Sequence, residues 1–464
     1  MIEPWASVQS ERVRMNQRPL VEPQSKQSDS IAFWCDASPP RNYHQSMKKY
    51  EQPMKKYEPM NSFGIDDGSS PRRIRSCRRC LFDSRIPSIN FDESGVCSYC
   101  ALHDEMDRQF PIGPEGERHL DRMVRSIRDT SRSSRFDCIL GVSGGCDSSY
   151  LLHELVTRGL RPLAVHFDNT WNSQTATSNI YCMLDQLNVP LETYVVDNSE
   201  YDDIYRAMFE AGVPEFDAPT DIGLKAVCLR AAEQHGVKYL IEGHSFRTEG
   251  VSPLGWMYFD GRYIREIHRR YGSMPMETFP NMPILDFLRW STVSNIRRVR
   301  PLYWIDYHKE KVKAFLSSEY GWTWYGGHHL ENQITAFHHT YFLPRRFGLD
   351  FRFIELSGRI RSGQLTRGEA EAEYAEGPVT DPVLVATVKK RLGYSEEDWD
   401  RLMGAPLHYH DEYPTYQRLF RALRPFFWLL YRMKRVPKTF YVKFCGSPPS
   451  LADAPRTSAY RRSA

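Results

Sequence analysis

The sequence predicts an α/β protein: a doubly wound parallel sheet, preceded by a four-cysteine knuckle and followed by a mostly helical C-terminal lobe. Three observations predict it. From Phe136 onward, apolar runs of strand length alternate with amphipathic helical periods. A Ser143-Gly144-Gly145 turn stands between the first run and the first helical period. Two C-x2-C pairs lie upstream of both.

The strand runs are "FDCILGV" (136–142), "RPLAVHFD" (161–168), "LETYVVD" (191–197) and "KYLIEG" (238–243). Helical periods fall between and after them, at 147–158, 174–188, 200–211 and 221–235. Gly159 and Gly236 stand where helix stops are expected. Residues 1–75 are polar and weakly patterned, with "MKKYEQP" echoed by "MKKYEP", and read as a flexible extension. Order is expected from 76, in a knuckle (76–105), an α/β domain (106–290), a helical lobe without strands (291–400) and an extension (401–464).

Bulk composition narrows the function classes. The 464 residues suffice for two or three domains, 41% are hydrophobic, and the formal net charge is only +3. So even a balance gives no steering field for nucleic acid, and no nucleic-acid partner is expected. No run reaches the roughly 18 apolar residues of a membrane span. The start lacks the charged-then-apolar order of a secretory signal, so a cytoplasmic protein is expected. "RALRPFFWLLYRMKR", near the C-terminus, suits either a helix packed on the second lobe or one lying in a membrane interface.

Cys77 and Cys80, a sixteen-residue gap, then Cys97 and Cys100, can close a tetrahedral thiolate shell. Two residues between cysteines let both sulfurs of a tight turn reach one ion, which suits structural Zn2+ better than free thiols or an iron–sulfur cluster.

The stretch "ILGVSGGCDSSYLLHEL" (139–155) holds the chemistry. Two glycines let the backbone curl with N–H groups inward, and the following helix adds the positive end of its dipole. Such a nest binds phosphate. Ser143, Ser148 and Ser149 add hydroxyls, and Asp147 makes sense holding Mg2+ against the phosphates; a plain turn with Asp147 as helix cap is the bland alternative. There is no G-x4-G-K-[ST] and no lysine in the loop, which suits a grip on the pyrophosphate of ATP during chemistry at the α-phosphate. Asp168 and Asn169, after the second strand, would reach the adenosine side of the crevice. His244, Arg247, Thr248 and Glu249 follow the later strand at the same sheet edge.

The SGGxDS string closely resembles that of the PP-loop ATPases, an adenine-nucleotide-hydrolase-like fold whose members adenylylate a carbonyl oxygen and release pyrophosphate. Within that superfamily, "CRRCLFDSRIPSINFDESGVCSYC", "VHFDNTWNSQTATSNI", "VPEFDAPTD", "WYGGHHLENQITAFHHTYFLPRRFGLDFR" and "LSGRIRSGQLTRGEA" resemble the N-acetyl sugar amidotransferase family of surface-polysaccharide biosynthesis. The resemblance covers about residues 76–375, and Cys146 departs from the usual valine. It implies conversion of a sugar acetamido group to an acetamidino group through an adenylylated imidate and ammonia. Asp147 with Mg2+, and Arg247 at the α-phosphate, would stabilise charge; His244 and Glu249 are candidate general bases. His328, His329 and Glu331 would line the sugar-nucleotide pocket, with a second metal site as the alternative. Asp221 could touch substrate or cap its helix. Arg345, Arg346 and Arg352 suit a pyrophosphate or carboxylate, or a solvated helix face.

No glutaminase signature is visible in the sequence. The resemblance therefore implies a separate glutaminase with an ammonia-channelling subunit, for which the knuckle is one docking surface. The rival reading is a tRNA-thiolating PP-loop enzyme. It would want a downstream cysteine pair, whereas Cys182, Cys228 and Cys445 are isolated.

Overall fold

The computed structural model describes residues 74–87, 89–253, 256–327, 329–433, 435–436 and 440–445. The expected extension before residue 74 and the last residues, 446–464, lie outside them, as does His328.

Five parallel strands form one sheet: β1 (Cys138–Gly141), β2 (Pro162–Asp168), β3 (Leu191–Val195), β4 (Tyr239–Ile241) and β5 (Arg297–Val299), in the order β3-β2-β1-β4-β5. Register pairs Ile139 with both Leu163 and Leu240. The interior strands are near-continuous apolar runs because both faces are covered, broken only in β2 by His166 and by Asp168 at its carboxyl end. Alternate residues enter two different cores. Ile139, Leu163, Val165 and Leu240 pack against α5 (Asn198–Glu210), α6 (Ala218–Gln234) and α7 (Gly261–Tyr271). Leu140, Ala164, Tyr239 and Ile241 pack against α2 (Pro114–Thr130), α3 (Cys146–Thr157), α4 (Gln174–Leu187) and α9 (Lys309–Tyr320). The doubly wound parallel sheet expected from sequence is the fold. Gly159 and Gly236 both take positive φ, 73° and 66°, just past their helices.

One expectation is corrected. Strands do not stop near residue 290: β5 pairs with β4, Tyr239 opposite Arg297 and Ile241 opposite Val299. Three residues, two of them arginines, give no apolar run to read. β5 is an edge strand, where charge on the outer rim is tolerated.

The knuckle starts the described chain and ends in α1 (Ser98–Gln109), whose N-cap is Cys97. Its Phe82 stacks on Phe353 at 5.3 Å, so it rests on α11 (Arg352–Arg361) and α12 (Arg367–Ala375). Farther on, α13 (Pro382–Leu392) and α14 (Glu396–Gly404) bury Val388, Leu392, Trp399 and Leu402 in the sheet's first core. The helical lobe is thus continuous with the α/β layer. The last helices, α15 (Gln417–Ala422) and α16 (Arg424–Arg432), gather Phe287, Phe420, Phe427 and Leu430 into a small aromatic cluster with α8 (Ile284–Thr292). No helix among the described residues is long and apolar enough to cross a membrane.

Candidate active site

The strand order reverses direction between β1 and β4, and the crevice at such a switch point, beyond the carboxyl ends of the strands, is where open α/β sheets bind ligands. The Ser143–Ser149 loop follows β1 and the His244–Glu249 loop follows β4, so both fall there.

The loop's shape rests on one backbone position. Gly144 has φ +76°, and a Cβ there would lie 2.2 Å from the Ala176 carbonyl oxygen at the start of α4. Only glycine fits. Its own carbonyl accepts from Asn179 Nδ2 (3.2 Å) and Trp322 Nε1 (3.0 Å), which fixes the peptide. Ser143 Oγ accepts from the Gly145 N–H (3.2 Å), and Tyr325 Oη accepts from the Cys146 N–H (3.2 Å). Ser148 Oγ donates to the Gly145 carbonyl (3.1 Å), and Ser149 is buried.

Around this loop the fold assembles charges that no local motif displays. Tyr307 donates to Asp147 Oδ1, and buried Lys309 places Nζ 3.6 Å from Asp147 Oδ2. Burial opposes the Lys309 charge, but Asp147, Glu355 and Glu249 outweigh it and hold its pKa above the usual lysine range. Glu331 Oε1 accepts from Ser143 Oγ (3.1 Å), while its buried Oε2 has no hydrogen-bond partner among the described residues. Burial raises Glu331, yet His329, 4.0 Å away, outweighs it and keeps the carboxyl below its ordinary value. Burial, then the Asp147 carboxylate, push Glu249 up to about 7. His244 donates to or accepts from Tyr303 Oη (3.1 Å) and lies 3.7 Å from Glu249; burial and then Arg300 depress it.

The donor chemistry can be tested against Mg2+. Asp147 in the loop and Glu331 beside it, with its orphan oxygen, are hard carboxylate ligands. Among the described residues only the cysteines bring three or more ligand atoms within 4.8 Å. Mg2+ characteristically takes one or two carboxylates plus phosphate oxygens, a donor set that two carboxylates such as these can enter.

Other residues expected at the site are used differently. Arg247 does not face the loop. Its Nε donates to Asp107 (2.9 Å), Nη1 to the Tyr303 carbonyl (2.7 Å) and Nη2 to the Phe110 carbonyl (2.7 Å), so it ties α1 to the sheet. This corrects its expected contact with an α-phosphate, because the side chain is buried and each of its three nitrogens is already bonded to a protein acceptor. Asn169 is buried and cross-links Trp171, Thr220 and Asn332. Its neighbour Asp168 accepts from the Thr170 N–H (2.8 Å) and Asn172 (3.1 Å). The strained Thr170, φ 63°, is held further by Arg391 of α13. Asp221 is exposed on the first turn of α6. Arg346 is buried against the Leu402 and Pro406 carbonyls, and Arg352 pairs with Asp350 (2.7 Å), so neither is a free anion clamp.

The cysteines converge as spaced. Sγ–Sγ distances are 3.8 Å (Cys77–Cys100), 3.7 Å (Cys80–Cys97) and 3.7 Å (Cys97–Cys100), and all four are buried. Zinc–thiolate bonds of about 2.3 Å in a tetrahedron demand edges of about 3.8 Å. The Arg79 and Cys97 N–H groups donate to Cys77 Sγ, and Arg361 donates to Cys80 Sγ, the outer hydrogen bonds a thiolate shell needs.

Lys309, Tyr307 and Tyr325 were missed in the sequence. A lone "YHKE" or "WYGG" carries no chemical pattern, and only "GGHHLE" pointed to that stretch. Beside Tyr325 lies a cavity of about 300 Å3 lined by Gln333, Thr340, Asp381 and Thr387.

Fold and site together define a parallel α/β protein with a phosphate-type loop at the switch point and a buried four-cysteine knuckle. Residues 331–425 match the family model "LPS biosynthesis protein WbpG-like, C-terminal domain". This match agrees with the family resemblance read from the sequence. Among solved structures, the chain is similar to NMN synthetase from Francisella tularensis (11% identity, TM-score 0.28, covering 63% of this chain and 98% of that one). It is likewise similar to an NH3-dependent NAD synthetase from Campylobacter jejuni (13%, TM-score 0.29, covering 64% and 99%). No curated protein matches the chain.

Proposed function

We propose that the chain is an ATP-dependent, AMP-forming amidotransferase. It would convert the acetamido group of a nucleotide-linked N-acetyl sugar to an acetamidino group in lipopolysaccharide or related glycan synthesis. The observation that carries this reading is the Gly144 nest with Asp147, Lys309 and Glu331 gathered round it at the sheet's switch point.

The chemistry follows from the reactants. An amide oxygen is a poor leaving group. Attack of that oxygen on the α-phosphorus of ATP expels pyrophosphate and gives an O-adenylyl imidate. Ammonia then adds at the imidate carbon, loses a proton, and AMP departs, leaving the amidine. The buried Lys309 ammonium and the positive end of α3 suit the charge that develops on the phosphates, and the Gly145 and Cys146 N–H groups would join them on exchanging Ser143 Oγ and Tyr325 Oη for phosphate oxygens. Asp147 and Glu331 would hold Mg2+, which supplies further neutralisation of phosphate charge when bound. Glu249, poised near neutrality, suits the base that takes the ammonia proton. The cavity beside Tyr325 pairs Gln333, Thr340, Asp381 and Thr387 with the aliphatic Leu330, Ala336, Val379, Val383 and Leu384, a mixed lining that suits both the hydroxyls and the apolar face of a sugar ring. Zn2+ in the cysteine knuckle would hold that element against α11. Ammonia would come from a partner glutaminase.

The test is ATP–pyrophosphate exchange with N-acetylated nucleotide sugars and, separately, with tRNA. Exchange with a sugar, AMP release, and a product in which O is replaced by NH by mass spectrometry are expected. Stimulation by tRNA alone would establish the thiolation reading instead.

A further inference from the structure

The C-terminal helices carry a feature that the catalytic reading does not use. In α16 the inward residues Phe427 and Leu430 are buried in the aromatic cluster. At 3.6 residues per turn, the opposite arc runs from Trp428 through Arg432, Pro425 and Leu429 to Met433 and Phe426. Five of those six are apolar, and Trp428, Leu429 and Met433 are 49%, 50% and 53% exposed. An apolar arc of that width is ordinarily buried. Here one half of the helix is covered by protein and the other faces outward.

Charge identifies what covers it. Residues 413–445 contain eight lysines and arginines and no acid. The whole chain is only +3, so the remainder sums to 3 − 8 = −5 and this segment alone is strongly basic. Arg418 and Arg421 are exposed on α15, and the Arg432 guanidinium lies 5.5 Å over the Trp428 ring. Aromatic and aliphatic side chains fringed by arginine are the composition of a helix lying in a bilayer interface. A second copy of this chain is a poor occupant. A two-fold contact would set the exposed Arg418, Arg421 and Arg432 against the same arginines of the second copy, with no acid in the segment to offset them.

We infer that the outward face of α15 and α16 docks on an anionic bilayer surface. Phe426, Leu429 and Met433 enter the headgroup–acyl boundary, and Arg418, Arg421 and Arg432 meet lipid phosphates. The contact inferred is a surface one: α16 is nine residues long, too short to span. This inference does not depend on the proposed amidotransfer and fails or stands separately from it.

The test is co-sedimentation of the full chain with vesicles of phosphatidylcholine, with and without about one-third phosphatidylglycerol, near 0.1 M salt. Binding to the anionic vesicles, weakened by added salt, is expected. Phe426→Ser/Leu429→Ser/Met433→Ser should lower partitioning by about tenfold or more, since each removes apolar area from the interface. Arg418→Gln and Arg421→Gln, which touch no core, should each lower it about fivefold, the effect of roughly 1 kcal/mol per surface charge. A thermal melt confirms that each variant is folded. No binding to anionic vesicles, or binding unchanged in both variant sets, would overturn the inference. So would a concentration-dependent dimer in sedimentation velocity that the triple serine variant abolishes, which would assign the face to a second copy.

Discussion

The cysteine knuckle and the Gly144 loop are both sites announced by short motifs, yet they are built in opposite ways. All four knuckle sulfurs come from residues 77–100, and their mutual distances follow from two tight turns. At the loop, only the backbone cradle is local. The groups that set its charge, Lys309 and Glu331, lie 162 and 184 residues beyond Asp147 in the chain. A site made of side chains at fixed spacing can be complete in sequence. A site made of backbone plus long-range charges cannot.

The largest effect expected concerns the loop. Asp147→Asn should reduce ATP–pyrophosphate exchange by about a thousandfold, from lost metal ligation and lost charge organisation. The sequence alone suggests that little packing is lost in this variant. The structure adds a penalty, because buried Lys309 loses the ion pair at 3.6 Å and keeps only its other carboxylate neighbours; a stability loss of about 1–3 kcal/mol in denaturant titration is expected. Exchange retained in Asp147→Asn would remove the loop's acid from the chemistry.

Next in size is the knuckle. Cys97→Ser should abolish stoichiometric zinc in an atomic-absorption assay and unfold residues 77–100, because metal affinity is folding free energy in so small an element. Undiminished metal with an unchanged melt would break the comparison from the other side.

Lys309→Met should lower exchange by about a hundredfold while leaving nucleotide-independent folding measurable, which would show that the loop depends on a charge supplied from afar. Arg247→Gln should instead cost about 1–3 kcal/mol of stability, by leaving the Tyr303 and Phe110 carbonyls without their donor, with little change in kcat. A loss of kcat without loss of stability would return Arg247 to the phosphates.

The smallest effect is a pH limb. Glu249 is raised to about 7, so it is protonated and unable to accept a proton below that value. Product formation, measured at fixed free ammonia, should therefore rise with pH through about 7 and fall as pH drops. Glu249→Gln should lose that limb.

How much was legible follows from the same physics. The strands β1, β2 and β4 and helices α3 to α6 were readable to within a few residues, because interior parallel strands are apolar runs and their crossover helices keep a 3.6-residue period; β3, at the edge, was readable from its Thr-Tyr-Val-Val run. β5 was not, since three residues containing two arginines resemble a loop. Arg247, Arg346 and Arg352 show the limit for single residues. A guanidinium that will clamp an anion and one that will cap carbonyls are written identically, and only their neighbours separate them.

The sequence by itself determined the alternation of strands and helices, the cysteine spacing, and the glycine that lets the loop turn, because each is a constraint on the local backbone. The tertiary structure alone decided that Lys309, Tyr307, Tyr325 and Glu331 would surround that loop while Arg247 would not. Their positions depend on how separate helices pack onto one sheet, and no period or spacing within the chain encodes which side chain arrives at its carboxyl edge.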